Sequence, residues 1–544
     1  MRNFNKLIIA FFLTISISLF GQNTHDYYVV LKNYSVVPTN FNKSNLLTYI
    51  NGIYGASSLY NNINNTVTIT QRAFPIVKTP LLKKVIFIRS TTSNLQTLLN
   101  AYGTHFEFAE KIPNKVPAYS NDYYTCTNRS DSLTPTSSQT STICVNTQLN
   151  LIRAGEAWNI SKGDHRIKVG VEDWHIEQNH EDYSGVIDAI YANGAQDNHG
   201  TEVSGMAVGR SNNGKGIASI TGGNCKLVFV DTRTTLGLDG LLRMSQHPGV
   251  RAVNASWGGR MDTASMRFPL ISNAVVNEIV DSNNVVFVAA AGNGSLWGGG
   301  GGLPGMDTSW VWPSALDNVL CVTSVGHMEA PGSPNRYAGW REEISWRDVH
   351  LTGFRNGQSH MHNSRVDVCA PGYLVALTTI NALNGGYRPS SGTSYASPMT
   401  AGLCALIAST NPCLTARQIF NIVKSTANNS IYSINLNTQF AGRLGTGRID
   451  AFEALKEAMR LGTNFQQNRL SSGSTKYSSG NTTIWGNTLI VAGRNVTGGT
   501  QGNVIIPNGS NVKYESFRGT ELHDGFEVHS GSSFEIIVRD SPCF

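Results

Sequence analysis

The sequence predicts an α/β fold: a doubly wound, mostly parallel sheet in the middle of the chain. A small α+β unit precedes it and a small β-rich tail follows. Three observations carry this. Five short Val-rich runs lie between residues 144 and 460, alternate with helical or loop segments, and are bounded by Gly, Asn or Asp. Their near-continuous apolarity is that of parallel strands covered on both faces. A run of small apolar residues, Met399 to Ile407, follows a tight Gly392-Thr-Ser394 approach and reads as a buried helix. After residue 460 the composition turns to Ser, Thr, Asn and Gly with alternating apolar positions, the pattern of short strands.

At 544 residues the chain has room for roughly three or four domains of about 150 residues. Its net charge of +6 is small for this length, and no block of five or six basic residues occurs, so no nucleic-acid partner is expected. Residues 1–21 read as a secretory signal peptide: Arg2 and Lys6 precede an apolar run from Leu7 to Phe20, then Gly21. That run is shorter than the roughly 20 residues of a spanning helix, and no later stretch qualifies, so no transmembrane segment is expected after signal removal. The expected location is therefore secreted or cell surface. Export permits disulfides among the eight cysteines, whose spacing fits no zinc module. Cys126 with Cys144 is a candidate pair, and Cys321 and Cys404 are candidate free core residues.

Residues 22–143 form the small α+β unit and a linker. Asp26–Lys32 and Lys84–Arg89 read as strands, and Ser93–Tyr102 as a helix. The Ser/Thr-rich stretch 128–142 reads as an exposed linker.

The domain at 144–460 carries the chemistry. Its strands are expected at Ile167–Asp173, Lys226–Asp231, Val250–Ser256, Val285–Ala291 and Val319–Val325. Function in such sheets collects at the carboxyl ends of strands, which here present Asp173, Asp231, Ser256 and Gly292-Asn293. Ser394 should open the buried helix, where free N–H groups and the helix dipole favour developing negative charge. Pro398 is expected in the first helical turn, where a missing N–H is harmless. Thr415-Ala-Arg-Gln418 is a capping box opening the next helix.

Gly392-Thr-Ser-Tyr-Ala-Ser-Pro398 resembles the catalytic-serine motif of the subtilisin-like serine peptidases, or subtilases. Asn198-His-Gly-Thr-Glu-Val-Ser-Gly205 and Val169-Gly-Val-Glu-Asp173 resemble the two other motifs of that family, in the required order Asp, His, Ser. The resemblance spans about 144 to 460. It implies that Ser394 is the nucleophile, His199 the general base and Asp173 the residue that orients it. Ala289-Ala-Ala-Gly-Asn293 resembles the segment with the oxyanion-hole asparagine, Asn293. Asn254-Ala-Ser-Trp-Gly-Gly259 resembles the segment that pairs with extended substrate. Ser256, Trp257, Gly258, Ala291 and Gly292 are thereby the expected substrate-binding residues. The sequence departs from the family at Trp174, where a small residue is usual, and at Glu202, where a second His is usual.

The resemblance further implies an exported endopeptidase acting on polypeptides through an acyl-enzyme. It would be made as a zymogen whose own pro-domain lies within residues 22–143. No organic cofactor is implied. Structural calcium is common in the family, but no ligands are assigned. No acidic residue follows Asn293 to select a basic side chain, so an apolar or permissive pocket is expected. The stretch from His327 to Ser364 reads as an insertion.

Other hydrolase plans fit worse. An α/β-hydrolase needs a histidine after its nucleophile, and only His523 and His529 follow Ser394, both in the tail. No HExxH metal motif occurs. The alternative from another class is a catalytically inactive, secreted adhesive or binding protein on the same fold. Residues 461–544 read as a small β domain or a few coils of a β-solenoid. Glu521–Val538 resembles terminal repeats of large exported bacterial proteins, which implies surface display or sorting.

Overall fold

The computed structural model describes residues 25–543 except 39, 54, 73–81, 93, 104, 113–131, 134–142, 145–146, 236–237, 262–269, 294–309, 328–345, 348–359, 373–374, 382–385, 434–436, 438–439, 468–476, 478 and 498–501. The signal segment, Cys126, most of the linker, the glycine run at 298–302 and most of the insertion after His327 lie outside the described residues. The chain divides into two units, Met1–Val116 and Pro117–Phe544.

The first unit is built from β1 (His25–Leu31), α1 (Lys43–Asn51), α2 (Ser57–Thr66), β2 (Val67–Arg72), β3 (Val85–Ser90), α3 (Leu95–Asn100) and β4 (Phe106–Ile112). The strands form one antiparallel sheet in the order β2-β3-β1-β4. Both α1 and α2 bury one apolar pair spaced i, i+4: Leu46 with Ile50, and Leu59 with Ile63. A two-residue stripe inside an Asn- and Ser-rich stretch is a weak periodic signal, and the sequence reading passes over both helices. Asn42 caps α1 reciprocally with Asn45.

The second unit holds a seven-stranded parallel sheet. Its strands are β5 (Lys168–Asp173), β6 (Ile187–Ala192), β7 (Lys226–Asp231), β8 (Val250–Ala255), β9 (Val286–Ala290), β10 (Val319–His327) and β11 (Val368–Pro371). The order is β11-β10-β9-β8-β5-β7-β6. A two-residue strand, Trp346–Arg347, pairs antiparallel with the end of β10. The five expected strands match β5, β7, β8, β9 and β10 closely. Strand β6 escaped because it is a half-exposed edge carrying Asp188, and β11 because it is four residues ending in Pro371. The chain reverses direction across the sheet between β5 and β8, which opens a crevice at their carboxyl ends.

Helices cover both faces. Successive side chains of β5 point to opposite sides. Asp173 faces His199 on α4 (His199–Val208), while Glu172 faces the other way, toward Thr235 and α5 (Asp239–Ser245). A hairpin of β12 (Val375–Thr378) and β13 (Tyr387–Ser390) leads into α6 (Thr393–Thr410). All eighteen residues of α6 are buried. It lies so close to α4 that a Cβ on Gly402 would fall 2.6 Å from the Ala207 carbonyl oxygen.

Pro398 is not in the first turn of α6 but is its sixth residue. Its missing N–H leaves the carbonyl of Ser394 without a helical donor. The Ser256 hydroxyl supplies one instead, at 2.8 Å. The irregularity is tolerated because the segment just after β8 delivers a hydroxyl to that spot. Thr415 and Gln418 form the expected capping box at the start of α7 (Ala416–Ser425), and α8 (Ala451–Gly462) follows, capped by Asp450.

The tail stacks short parallel strands as coils. Residues Asn464–Gln466 (β14), Leu489–Ala492 (β16) and Gly519–Leu522 (β19) form one ribbon. Residues Gly480–Gly486 (β15), Ser510–Ser516 (β18) and Ser533–Val538 (β21) form a second, in register. Val504–Ile506 (β17) and Phe526–Val528 (β20) form a third. Tyr477, Ile490, Val504, Ile506, Val512 and Tyr514 fill the interior. Arg518 fastens this tail to the α/β domain, donating to the carbonyls of Thr410 (3.0 Å) and Ser409 (2.8 Å) at the end of α6 and of Ile160 (3.1 Å). A Cys413–Cys543 disulfide ties down the last turn. That pairing crosses 130 residues, and nothing in the spacing announces it. Cys321 and Cys404 are free and buried, as is Cys225.

Candidate active site

Asp173, His199, Asn293 and Ser394 line one cleft of about 390 Å³ at the carboxyl edge of the sheet. Each arrives on a different element. Asp173 is the last residue of β5 and is buried, while His199 is the first residue of α4. The His199 imidazole Nδ1 stands 2.7 Å from Asp173 Oδ1, which also accepts from the Trp174 N–H at 2.7 Å. The helix can start this close to β5 only because residue 200 is glycine: a Cβ there would fall 1.8 Å from the Trp174 carbonyl oxygen.

Burial, the largest single influence, disfavours the imidazolium of His199, but Asp173, Glu202 and Asp197 together outweigh it and raise the imidazole to about 9. A protonated ring has no lone pair to offer a serine. The Ser394 hydroxyl donates to the Ser256 carbonyl at 3.2 Å, and among the described residues no hydrogen bond joins it to His199.

Asn293 follows β9. Its Oδ1 accepts from the N–H of Thr393 (3.0 Å) and from the Thr393 hydroxyl (3.1 Å). Two donors on one side of the amide fix its orientation, so Nδ2 is the end left to donate beside Gly392. The N–H of Ser394 lies in the first turn of α6, where no helical acceptor exists. These are the two donors a developing oxyanion needs.

Of the expected substrate-binding residues, Ser256, Trp257, Gly258 and Gly292 line the cleft. Ala291 does not. It packs beneath with Cys321, Met361 and Val366, and alternation along the strand places Ala290 at the cleft instead. Trp257 is held by its indole N–H, which donates to the Glu172 carbonyl at 2.8 Å. Val311 is a lining residue the sequence reading missed. It lies against Gly258, where a Cβ would fall 2.6 Å from its Cγ1. Among the described residues no acidic side chain apart from Asp173 lines the cleft. Trp174 is exposed at the rim, its ring 6.2 Å from that of His199.

Supporting residues were also missed. Asn254 donates to the Ser256 hydroxyl at 2.9 Å and accepts from Ser397 at 2.6 Å, so a buried polar chain runs from β8 to α6. The Asn254–Ser397 partners stand 143 positions apart, and no local pattern pairs them. Among the described residues no group of three His, Cys, Asp or Glu is placed to hold a metal ion.

A carboxylate, an imidazole and a hydroxyl thus line one crevice of a doubly wound sheet, and comparison with known proteins gives the family. The chain belongs to the Subtilase family, whose model matches residues 164–447. It is 28% identical over 267 residues to a thermophilic serine proteinase of Bacillus sp. (strain AK1), covering 46% of this chain and 55% of that one. It is 30% identical over 287 residues to mycosin-4 of Mycobacterium tuberculosis, covering 48% and 57%. The chain thus spans little more than half the length of these two relatives. Among solved structures, a protease of Pseudoalteromonas arctica aligns with a TM-score of 0.41 and 23% identity, over 56% of this chain and 94% of that one.

Proposed function

We propose that the protein is an exported serine endopeptidase, made as a precursor, that hydrolyses peptide bonds through an acyl-enzyme. The observation that carries this is the convergence of Asp173, His199, Ser394 and Asn293 on one cleft. Substrate binding and the loss of a proton from His199 free Nε2 to draw the Ser394 hydroxyl from the Ser256 carbonyl. Ser394 Oγ then attacks the peptide carbonyl carbon while His199 takes its proton. Asp173 holds the ring by Nδ1 and stabilises the imidazolium. Asn293 Nδ2 and the Ser394 N–H receive the oxyanion. The imidazolium protonates the leaving amine as the C–N bond breaks, and water repeats the sequence on the ester.

The reaction needs no organic cofactor in this reading. Trp257, Val311 and Gly258 wall a pocket suited to an apolar or small side chain before the scissile bond. Residues 22–143 act as the pro-domain and are removed by the enzyme itself. Among the described residues no helix is long and apolar enough to cross a membrane.

The test is hydrolysis of a mixed library of internally quenched peptides by wild type and Ser394→Ala. Cleavage by wild type alone, with apolar or small residues before the cut, is expected. A folded, processed wild type that cleaves nothing would favour the non-catalytic binding protein. Self-processing predicts that Ser394→Ala accumulates with residues 22–143 attached, and removal at the normal rate would assign that cut to another protease.

A further inference from the structure

Base and nucleophile enter the cleft on different helices, α4 and α6, and one wholly buried carboxylate joins the two. Glu202 lies three residues after His199 on α4. Its Oε1 accepts from Asn198 Nδ2 (2.6 Å), Arg388 Nε (2.6 Å) and the Thr379 hydroxyl (3.0 Å). Its Oε2 accepts from the Tyr395 hydroxyl (2.7 Å). Asn198 immediately precedes His199, and Tyr395 immediately follows Ser394. Burying a carboxylate away from water is costly unless donors surround it, and four donor groups, one of them a cation, surround this one.

We propose that Glu202 is a positioning residue of the site: it locks the backbone at His199 to the backbone at Ser394, and its charge sets how tightly the imidazole holds its proton. This rests on the peptidase reading. The groups that face the His199 ring are few. Asp173 comes from β5, Asp197 from the loop before α4, and Glu202 from α4 itself. The Tyr395 ring comes from α6, with centroids 6.0 Å apart. Arg388 of β13 acts through Glu202, as its ion-pair partner. Burial, reinforced by the charge of Glu202, pushes the Tyr395 phenol well above its ordinary value, and its hydroxyl donates to Glu202.

Two variants should therefore move His199 in opposite directions. Glu202→Gln keeps the shape and removes a negative charge, so the imidazole releases its proton more readily. Arg388→Gln removes the compensating cation. Asn198, Thr379 and Tyr395 keep donating to the carboxylate, so its charge acts on the imidazole uncompensated and the ring grips its proton harder. A knot with a purely structural role predicts no such opposition of sign.

The experiment uses the full chain carrying Ser394→Ala, with 13C-labelled histidine, and follows His199 by NMR through a pH titration. Glu202→Gln should lower the His199 midpoint by roughly half to one pH unit, and Arg388→Gln should raise it. In the active enzyme the acid limb of kcat/KM should shift the same way. An unmoved midpoint in folded Glu202→Gln, or two shifts of the same sign, would overturn the proposal. If Glu202→Gln does not fold, Arg388→Gln decides alone: a raised midpoint supports the proposal, and an unmoved or lowered one refutes it. The titration needs no turnover, so a wild type silent on every peptide would sink the peptidase reading through a separate result.

Discussion

Asn293 illustrates how much must be settled before one side chain can act. Thr393 takes up its oxygen twice, so the amide can present only its N–H₂ to the cleft. Asn293→Ala should lower kcat by about 10²–10³ with KM little changed, a magnitude measured in subtilisin, a relative; kinetics on any cleaved peptide checks it. His199 sets the pH response. With its imidazole raised to about 9, activity should fall as pH drops through that region and the ring stays protonated. Asp173→Asn removes the leading cause of the rise and should move that limb to lower pH while cutting kcat. Glu172, the next residue along β5, titrates differently. Burial raises its carboxyl to about 7, against the lowering effect of hydrogen bonds from Thr235 and others. The fold thus prefers it protonated. Its contribution is complete below about pH 4.5, the unfolded value, and is lost as pH rises through 7. The melting temperature of Ser394→Ala should decline over that window, and Glu172→Gln should flatten the decline. Asp173, His199, Asn293 and Ser394 were legible because each stands in a short motif. Thr393, Asn254 and Ser397 stand in motifs too, but their roles were hidden, because those roles exist only as contacts across the fold.

Among the elements, α6 and β8 depend on each other. Pro398 removes a donor from the helix and Ser256 on the segment after β8 replaces it. Ser256→Ala would leave a buried carbonyl at Ser394 unpaired and should cost about 1–3 kcal/mol of stability, read by chemical denaturation. It should also loosen the nucleophile, since the same two segments hold the Ser394 hydroxyl. The central strands were readable because full burial on both faces demands unbroken runs such as Val286–Ala290. Edge strand β6 answers to no such demand, and its mixed Ile-Asp-Ala-Ile-Tyr-Ala pattern hides it.

Across the whole second unit, the tail is held by features the local sequence does not advertise. Arg518 sits against the carbonyls at the end of α6, where the helix dipole welcomes a cation. Its guanidinium is deprived of water, which lowers its proton affinity, yet three carbonyls receive it. Arg518→Ala should destabilise the folded chain by about 2 kcal/mol or more. Removing the Cys413–Cys543 bridge by paired alanine substitutions should cost about 2–4 kcal/mol, the usual range for a native disulfide. If calorimetry shows the α/β domain melting unchanged in either variant, the tail is an independent appendage. Composition announced a β-rich tail, but not its fastening, because one arginine and one distant cysteine carry no periodicity.

The most direct measurement is labelling of the processed wild type with a serine-reactive phosphonate, followed by peptide mapping. The account predicts a single adduct, on Ser394 Oγ, absent in Ser394→Ala and strongly weakened in His199→Ala. A folded, processed wild type that carries no adduct on Ser394, or labelling that persists in Ser394→Ala, would contradict it.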